Sequence, residues 1–182
     1  MNFYISRLAI VYVSLCVGCS SDKRNYVAST SYEVQTINTP DWLACETGGL
    51  DFLPDGRLVA CFQRGEVMIY DPKSKEWSLF AHGLQDPLGI LAVNESEFLV
   101  MQRPELTRVK DTDGDGKADI FQTVTDDFGQ AGNYHEFNYG PARDKSGNLF
   151  YAICLPSEGA KIMPEVRGRL DSNGISPIQF SV

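Results

Sequence analysis

From Trp42 onward, apolar positions cluster in runs of five or six residues broken by turn-forming groups. Arg57-Leu58-Val59-Ala60-Cys61-Phe62 and Glu66-Val67-Met68-Ile69-Tyr70 flank Gln63-Arg64-Gly65, a short glycine-containing link that predicts a hairpin. Asp71-Pro72-Lys73-Ser74-Lys75 predicts a turn, and Glu76–Phe80, Glu97–Met101 and Asn148–Ile153 predict further strands. Beyond residue 18, no stretch holds a helical period over eleven residues, so the pattern predicts an all-β body.

The pattern repeats. Gly49-Leu50-Asp51-Phe52-Leu53-Pro54-Asp55-Gly56-Arg57-Leu58-Val59-Ala60 has counterparts beginning at Gly89 and at Tyr139-Gly140. Each copy reads as a short strand, a polar turn and an apolar strand. Leu58 to Phe98 spans 40 positions and Phe98 to Leu149 spans 51, the longer interval containing an acidic insertion. A unit of about 40 residues made of short antiparallel strands is the signature of a β-propeller blade, although three separate hairpins in another sandwich would look alike. Residues 41–182 are therefore expected to form a partial β-propeller of about three four-stranded blades, an incomplete ring, since closed propellers use four to eight. Either partner chains complete the ring or the chain is part of a longer protein. Gly168–Pro177 is rich in turn formers and adds no strand pair.

The N-terminus changes the picture of where the body resides. One cation, Arg7, precedes the eleven-residue apolar run Leu8–Gly18, which is too short to span a bilayer and suits the core of a signal peptide. Gly18-Cys19 at its end resembles a bacterial lipoprotein cleavage box, with Cys16 where an aliphatic residue is usual; the alternative is an ordinary secretory signal cut nearby. Residues 1–18 are thus expected to be a signal, Cys19 a lipidation site and 19–40 a polar tether. The chain would then lie in the cell envelope, in the periplasm or on the outer membrane, held by a lipid anchor alone. Formal charge is −8 over 182 residues; loss of residues 1–18 removes Arg7 and no acid, giving −9. Such a surface repels phosphate backbones, which argues against nucleic-acid binding and favours cations. Cys45, Cys61 and Cys154 allow at most one disulfide, match no zinc spacing, and read most simply as packed thiols.

The acidic insertion is the chemical feature of the chain. Asp111-Thr112-Asp113-Gly114-Asp115-Gly116-Lys117-Ala118-Asp119 sets carboxylates at relative positions 1, 3, 5 and 9. Calcium takes six to eight oxygens, and alternate residues of a tight loop can aim theirs inward, with the Lys117 carbonyl at position 7. Without a cation these carboxylates would repel one another. Position 12 is Gln122 rather than the Glu of an EF-hand, and Leu106–Lys110 and Ile120–Val124 read as strands. The expectation is a structural calcium loop in a β-hairpin, resembling dockerin-type or thrombospondin-type repeats. His135, beside Glu136 and among aromatics, is either a general base or ligand or a histidine satisfied by a backbone carbonyl. Arg103 follows a strand directly, where propeller loops present functional groups, and a salt bridge with Glu105 is its ordinary alternative. His82 falls in a turn. Nucleophile elbows, phosphate-cradling loops and zinc patterns are absent from the sequence.

Gly48–Leu58, Arg103-Pro104-Glu105-Leu106-Thr107, Asp111–Asp119 and Asn133-Tyr134-His135-Glu136-Phe137, in this order, resemble exported bacterial membrane-bound dehydrogenases related to glucose/sorbosone dehydrogenase propellers. The resemblance covers residues 42–155. It implies a six-bladed propeller, often followed by helical repeats and c-type haem domains. In the better-studied sugar dehydrogenases it also implies pyrroloquinoline quinone, a His base, calcium polarising the quinone and an Arg steadying its charge. Here it offers only His135 as base and Arg103 as partner, outside any matched catalytic motif, and points to an N-terminal part too short for activity alone. Implied partners are sugars or polysaccharides and further blades or haem domains from another chain. Set against this stand a non-catalytic, calcium-stabilised propeller that binds carbohydrate or protein, and an inactive remnant.

Overall fold

Among the described residues the alternating runs fold as ten strands, β1 Thr47–Phe52, β2 Leu58–Phe62, β3 Val67–Asp71, β4 Glu76–Ala81, β5 Gly89–Asn94, β6 Glu97–Met101, β7 Leu106–Lys110, β8 Ile120–Thr125, β9 Asn138–Arg143 and β10 Leu149–Ile153. This computed structural model describes residues 34–128 and 137–154, and among them there is no helix. The signal, Cys19 and His135 lie outside the described residues, as do the tether up to residue 33 and the turn-rich stretch near the end. The chain divides into Met1–Thr36 and Ile37–Val182, and the described strands belong to the second unit.

Neighbours in sequence pair antiparallel. The first sheet runs β1-β2-β3-β4 and the second β5-β6-β7-β8, each a four-stranded meander; the third pairs β9 with β10. The expected third four-stranded blade is thus seen as two strands among the described residues. The Gln63–Gly65 link turns as the sequence anticipates: Gly65 has φ 106°, a left-handed value that glycine adopts without a Cβ penalty. Its N–H donates to the Phe62 carbonyl at 2.8 Å.

Strand alternation gives each sheet two working faces. One face of the first sheet, with Val59, Cys61, Val67 and Ile69, packs on Ile90, Phe98 and Val100 of the second. Phe80 and Phe98 meet edge to face there, centroids 4.6 Å apart. The other face of the second sheet buries Leu99, Met101 and Leu106 with Phe128 against Leu149, Tyr151 and Ile153 of the third. A smaller cluster on the far face of the first sheet joins Leu43 to Ala60, Phe62, Met68 and Trp77, and the Trp77 indole N–H donates to the Asn38 carbonyl at 3.0 Å. Full burial of one such side chain is worth about 1.5–3 kcal/mol.

The first strands of the three repeats meet through glycine. A Cβ on Gly49 would lie 2.8 Å from the Gly89 Cα, and one on Gly89 would lie 1.6 Å from the Gly140 carbonyl oxygen. Backbone therefore touches backbone at the repeat positions already apparent in the sequence. Asp51 adds a lateral tie, its Oδ2 accepting the Ala92 N–H at 2.8 Å from the next sheet. We expect Gly89→Ala to lower the unfolding free energy by about 3 kcal/mol or more, because backbone and not a flexible side chain must move. Gly147→Ala, at a turn with φ 92° and nothing within 4 Å, should cost about 1 kcal/mol. Urea denaturation of the two variants side by side measures the difference.

Candidate functional site

The acidic loop joins β7 to β8 and is built from its own backbone outward. The Asp111 N–H donates to the Ser96 carbonyl at 2.9 Å, and the Asp119 N–H to the Lys110 carbonyl at 2.9 Å, which closes the hairpin base. Asp111 is buried, and its two carboxylate oxygens accept the N–H groups of Gly114 at 2.7 Å and Gly116 at 2.9 Å. Both glycines sit in the left-handed region, φ 81° and 84°, so the tight double turn requires them. Asp113 accepts the Asp115 N–H at 3.2 Å, and Asp115 accepts the Lys117 N–H at 2.8 Å.

These turns bring one oxygen each from Asp111, Asp113 and Asp115 within 4.8 Å of one another. Oxygens bound to one calcium at 2.3–2.6 Å stand at most about 5 Å apart, so the spacing fits a single divalent cation. The fourth carboxylate closes the loop's neck: Asp119 Oδ2 accepts the Thr112 hydroxyl at 2.7 Å and its N–H at 3.1 Å. Gln122, at position 12, lies on β8 and accepts from Arg108 at 3.4 Å.

The loop also reaches the first sheet. The Ala118 N–H donates to the Phe80 carbonyl of β4 at 2.7 Å, and Ala118 packs on the core between the sheets. Beside that contact is a cleft of about 230 Å³ lined by Ala81, His82, Lys117 and Phe121.

Arg103 stands where β6 ends. Its guanidinium lies 3.2 Å from Asp86 and stacks over Phe137 at 4.8 Å, and its carbonyl accepts the Asn138 side-chain amide at 2.7 Å. Asp86 belongs to the link between the first two sheets, and Phe137 leads into the third, so Arg103 joins all three. Glu105, the partner in the salt-bridge alternative, is used otherwise: it accepts the Thr107 hydroxyl at 2.5 Å and the Thr123 hydroxyl at 3.0 Å. Gln102, buried next to Arg103, donates to Thr107 at 2.5 Å and accepts the Gln85 N–H at 2.6 Å. Gln102, Thr107 and Asn138 were not singled out by sequence reasoning. Their one signal is position, polar residues beside or within otherwise apolar strands, which does not separate a buried network from a solvated edge.

Among the described residues, Cys45 and Cys61 are free thiols. Burial pushes the Cys61 thiol up to about 12, which fits a packing role and not a nucleophile. Asp111 is held below the ordinary carboxylate range, chiefly by the Gly114 N–H and against the opposing effect of burial. A depressed folded-state value means that its stabilisation is complete above the unfolded value, near 3.9, and is lost as pH falls through the folded one. In chelator, Asp111→Asn should therefore flatten part of the stability loss below about pH 4, measured by urea midpoints across pH. Arg103→Ala should cost about 2 kcal/mol through the charged hydrogen bond and the ring contact. Arg103→Lys should recover less than half of it in the same assay, since an ammonium lacks the planar stack.

Among the described residues, no helix is long and apolar enough to cross a membrane. Neither the curated proteins nor the solved structures contain a match to the chain. One family model does match, over residues 66–158, and its description is a domain of unknown function, DUF7133.

Proposed function

The chain belongs to the DUF7133 family, which brings no activity with it; we propose, from the geometry, that it is a calcium-stabilised module of β-propeller type and, from the sequence, that it is exported and lipid-anchored through Cys19. The observation that carries this reading is the convergence of Asp111, Asp113 and Asp115 on one point of a loop tied to the neighbouring sheet through Ala118 and Phe80. Asp111, Asp113 and Asp115 hold the ion, with the Lys117 carbonyl and Asp119 as the remaining donors of the loop. Sheets that succeed one another through their first strands support the propeller-type arrangement. The ion's work is structural: it offsets carboxylate repulsion and fixes a hairpin between two sheets. Strands flank the loop where a sensor would carry a helix pair that opens.

Calcium at about 100 times its Kd should add about 2.7 kcal/mol, raising the melting temperature by about 5–10 °C in a domain of this size. Asp113→Ala should abolish most of that rise. A melting curve indifferent to calcium and chelator contradicts the reading.

A second reading makes the chain the N-terminal part of a quinoprotein-like sugar dehydrogenase. What favours it is the meeting of two segments that carry the resemblance, Arg103-Pro104-Glu105 and the Phe137 end of the His135 segment. Against it, the Arg103 guanidinium is engaged by Asp86 and Phe137, which does not suit it to steadying a quinone's charge. His135 as base and a bound carbohydrate belong to this reading alone. Dye reduction with pyrroloquinoline quinone, calcium and a panel of aldoses tests it; turnover that disappears in His135→Ala supports it, and no turnover on any sugar refutes it.

A further inference from the structure

The second sheet turns a row of apolar residues toward the first, and the row extends past its cover. Ala92, Phe98, Val109 and Phe121 stand opposite one another on the successive strands β5 to β8, so their side chains share one face. Phe98 and Val109 are fully buried in the core between the two sheets. Phe121, one strand farther out, is 50% exposed. Beside it lies the cleft of about 230 Å³ between β4 and the acidic loop. That volume is below the about 300–1,000 Å³ of pockets for drug-sized ligands and suits a single substituted ring. The bond from the Ala118 N–H to the Phe80 carbonyl, 2.7 Å, joins the two walls.

The lining has a definite chemistry. Leu79, Ala81 and Ala118 make it apolar, Phe121 offers a ring, and the ionisable groups on it are Lys117 and His82. In the whole chain Asp and Glu outnumber Lys and Arg by 24 to 16, yet no carboxylate lines this cleft. An apolar slot with nitrogen donors and no competing acid is complementary to a flat apolar body with one negative end. We infer that the cleft binds a small aromatic carboxylate, its ring against Phe121 and its carboxylate toward Lys117 and His82. The inference rests on the calcium reading and gives the ion a second effect. Lys117 belongs to the loop proposed to hold the ion, its N–H donating to Asp115 at 2.8 Å. The four aspartates and Lys117 give Asp111–Asp119 a formal charge of −3, which one calcium ion raises to −1. The ion thereby lessens the repulsion an anion meets beside the loop and fixes the wall that carries Lys117. By linkage, calcium and the carboxylate strengthen each other's binding.

Fluorine NMR titration of para-fluorobenzoate into the full chain, in calcium and in chelator, tests it, with neutral para-fluorobenzamide beside it. In calcium the benzoate is expected to saturate with a Kd of about 1 mM or tighter, weakened about fivefold or more in chelator. Lys117→Gln should weaken the benzoate about tenfold, the loss of one charged hydrogen bond, and leave the benzamide unchanged. Phe121→Ala should weaken both probes about fivefold through the lost ring contact. Both side chains are exposed, and a cooperative melt verifies that the variants fold. Absence of saturable binding overturns the inference, as does equal affinity for the two probes. Affinity untouched by both substitutions places the ligand elsewhere and overturns it too, as does a Kd equal in calcium and chelator when the melt responds to calcium. A melt that responds to calcium without benzoate binding sinks this inference alone. A melt indifferent to calcium sinks the calcium reading, and benzoate binding that still depends on Lys117 and Phe121 then leaves the cleft assignment standing.

Discussion

Backbone contact at glycine sets the spacing of everything else in this fold. Gly49 meets Gly89, and Gly89 meets Gly140, at distances that admit no side chain. Strands that approach so closely at one edge let the larger residues farther along the same sheets, Phe80 and Phe98 among them, interdigitate instead of holding the sheets apart. The apolar core then follows as a consequence. Its cost falls on substitution, because a methyl group at Gly89 has no flexible neighbour to displace.

The glycine contacts fix one side of the array, and polar ties secure it elsewhere. Arg103 joins the link between the first two sheets to the entrance of the third through Asp86, Phe137 and Asn138. The acidic loop reaches from the second sheet to β4 of the first through a single hydrogen bond at Ala118. Three carboxylates concentrated in the same loop repel one another unless a cation joins them. The proposed ion therefore acts on the contact between sheets as well as on the hairpin that holds it.

Much of this was readable from residue pattern because its causes are local. Alternation over five or six residues and the Gln63-Arg64-Gly65 link determine strands and turns within a few bonds, and the recurrence of Gly49, Gly89 and Gly140 marked the repeat before its reason was visible. What those glycines do is a long-range fact: only the packed sheets show that each faces the next. The acidic spacing identified Asp111, Asp113 and Asp115 correctly as neighbours, since one tight loop carries them all. Asp119 also accepts from Thr112 across the neck, a tie that the spacing alone does not announce. A salt bridge with nearby Glu105 was the ordinary alternative for Arg103, yet the ion pair forms with Asp86, brought in by the chain's return from the first sheet, and Glu105 turns to Thr107 and Thr123. Residues within one turn reveal their partners in sequence; residues at the ends of strands do not.

Hydrogen exchange read residue by residue, with calcium and with chelator, tests the calcium-clipped loop most directly. Calcium is predicted to slow exchange at the Gly114 and Gly116 amides, whose acceptor is Asp111, and at the Ala118 amide, whose acceptor lies in the first sheet. Unchanged exchange at all three, with the strand amides of the core still protected, would contradict a calcium-clipped loop.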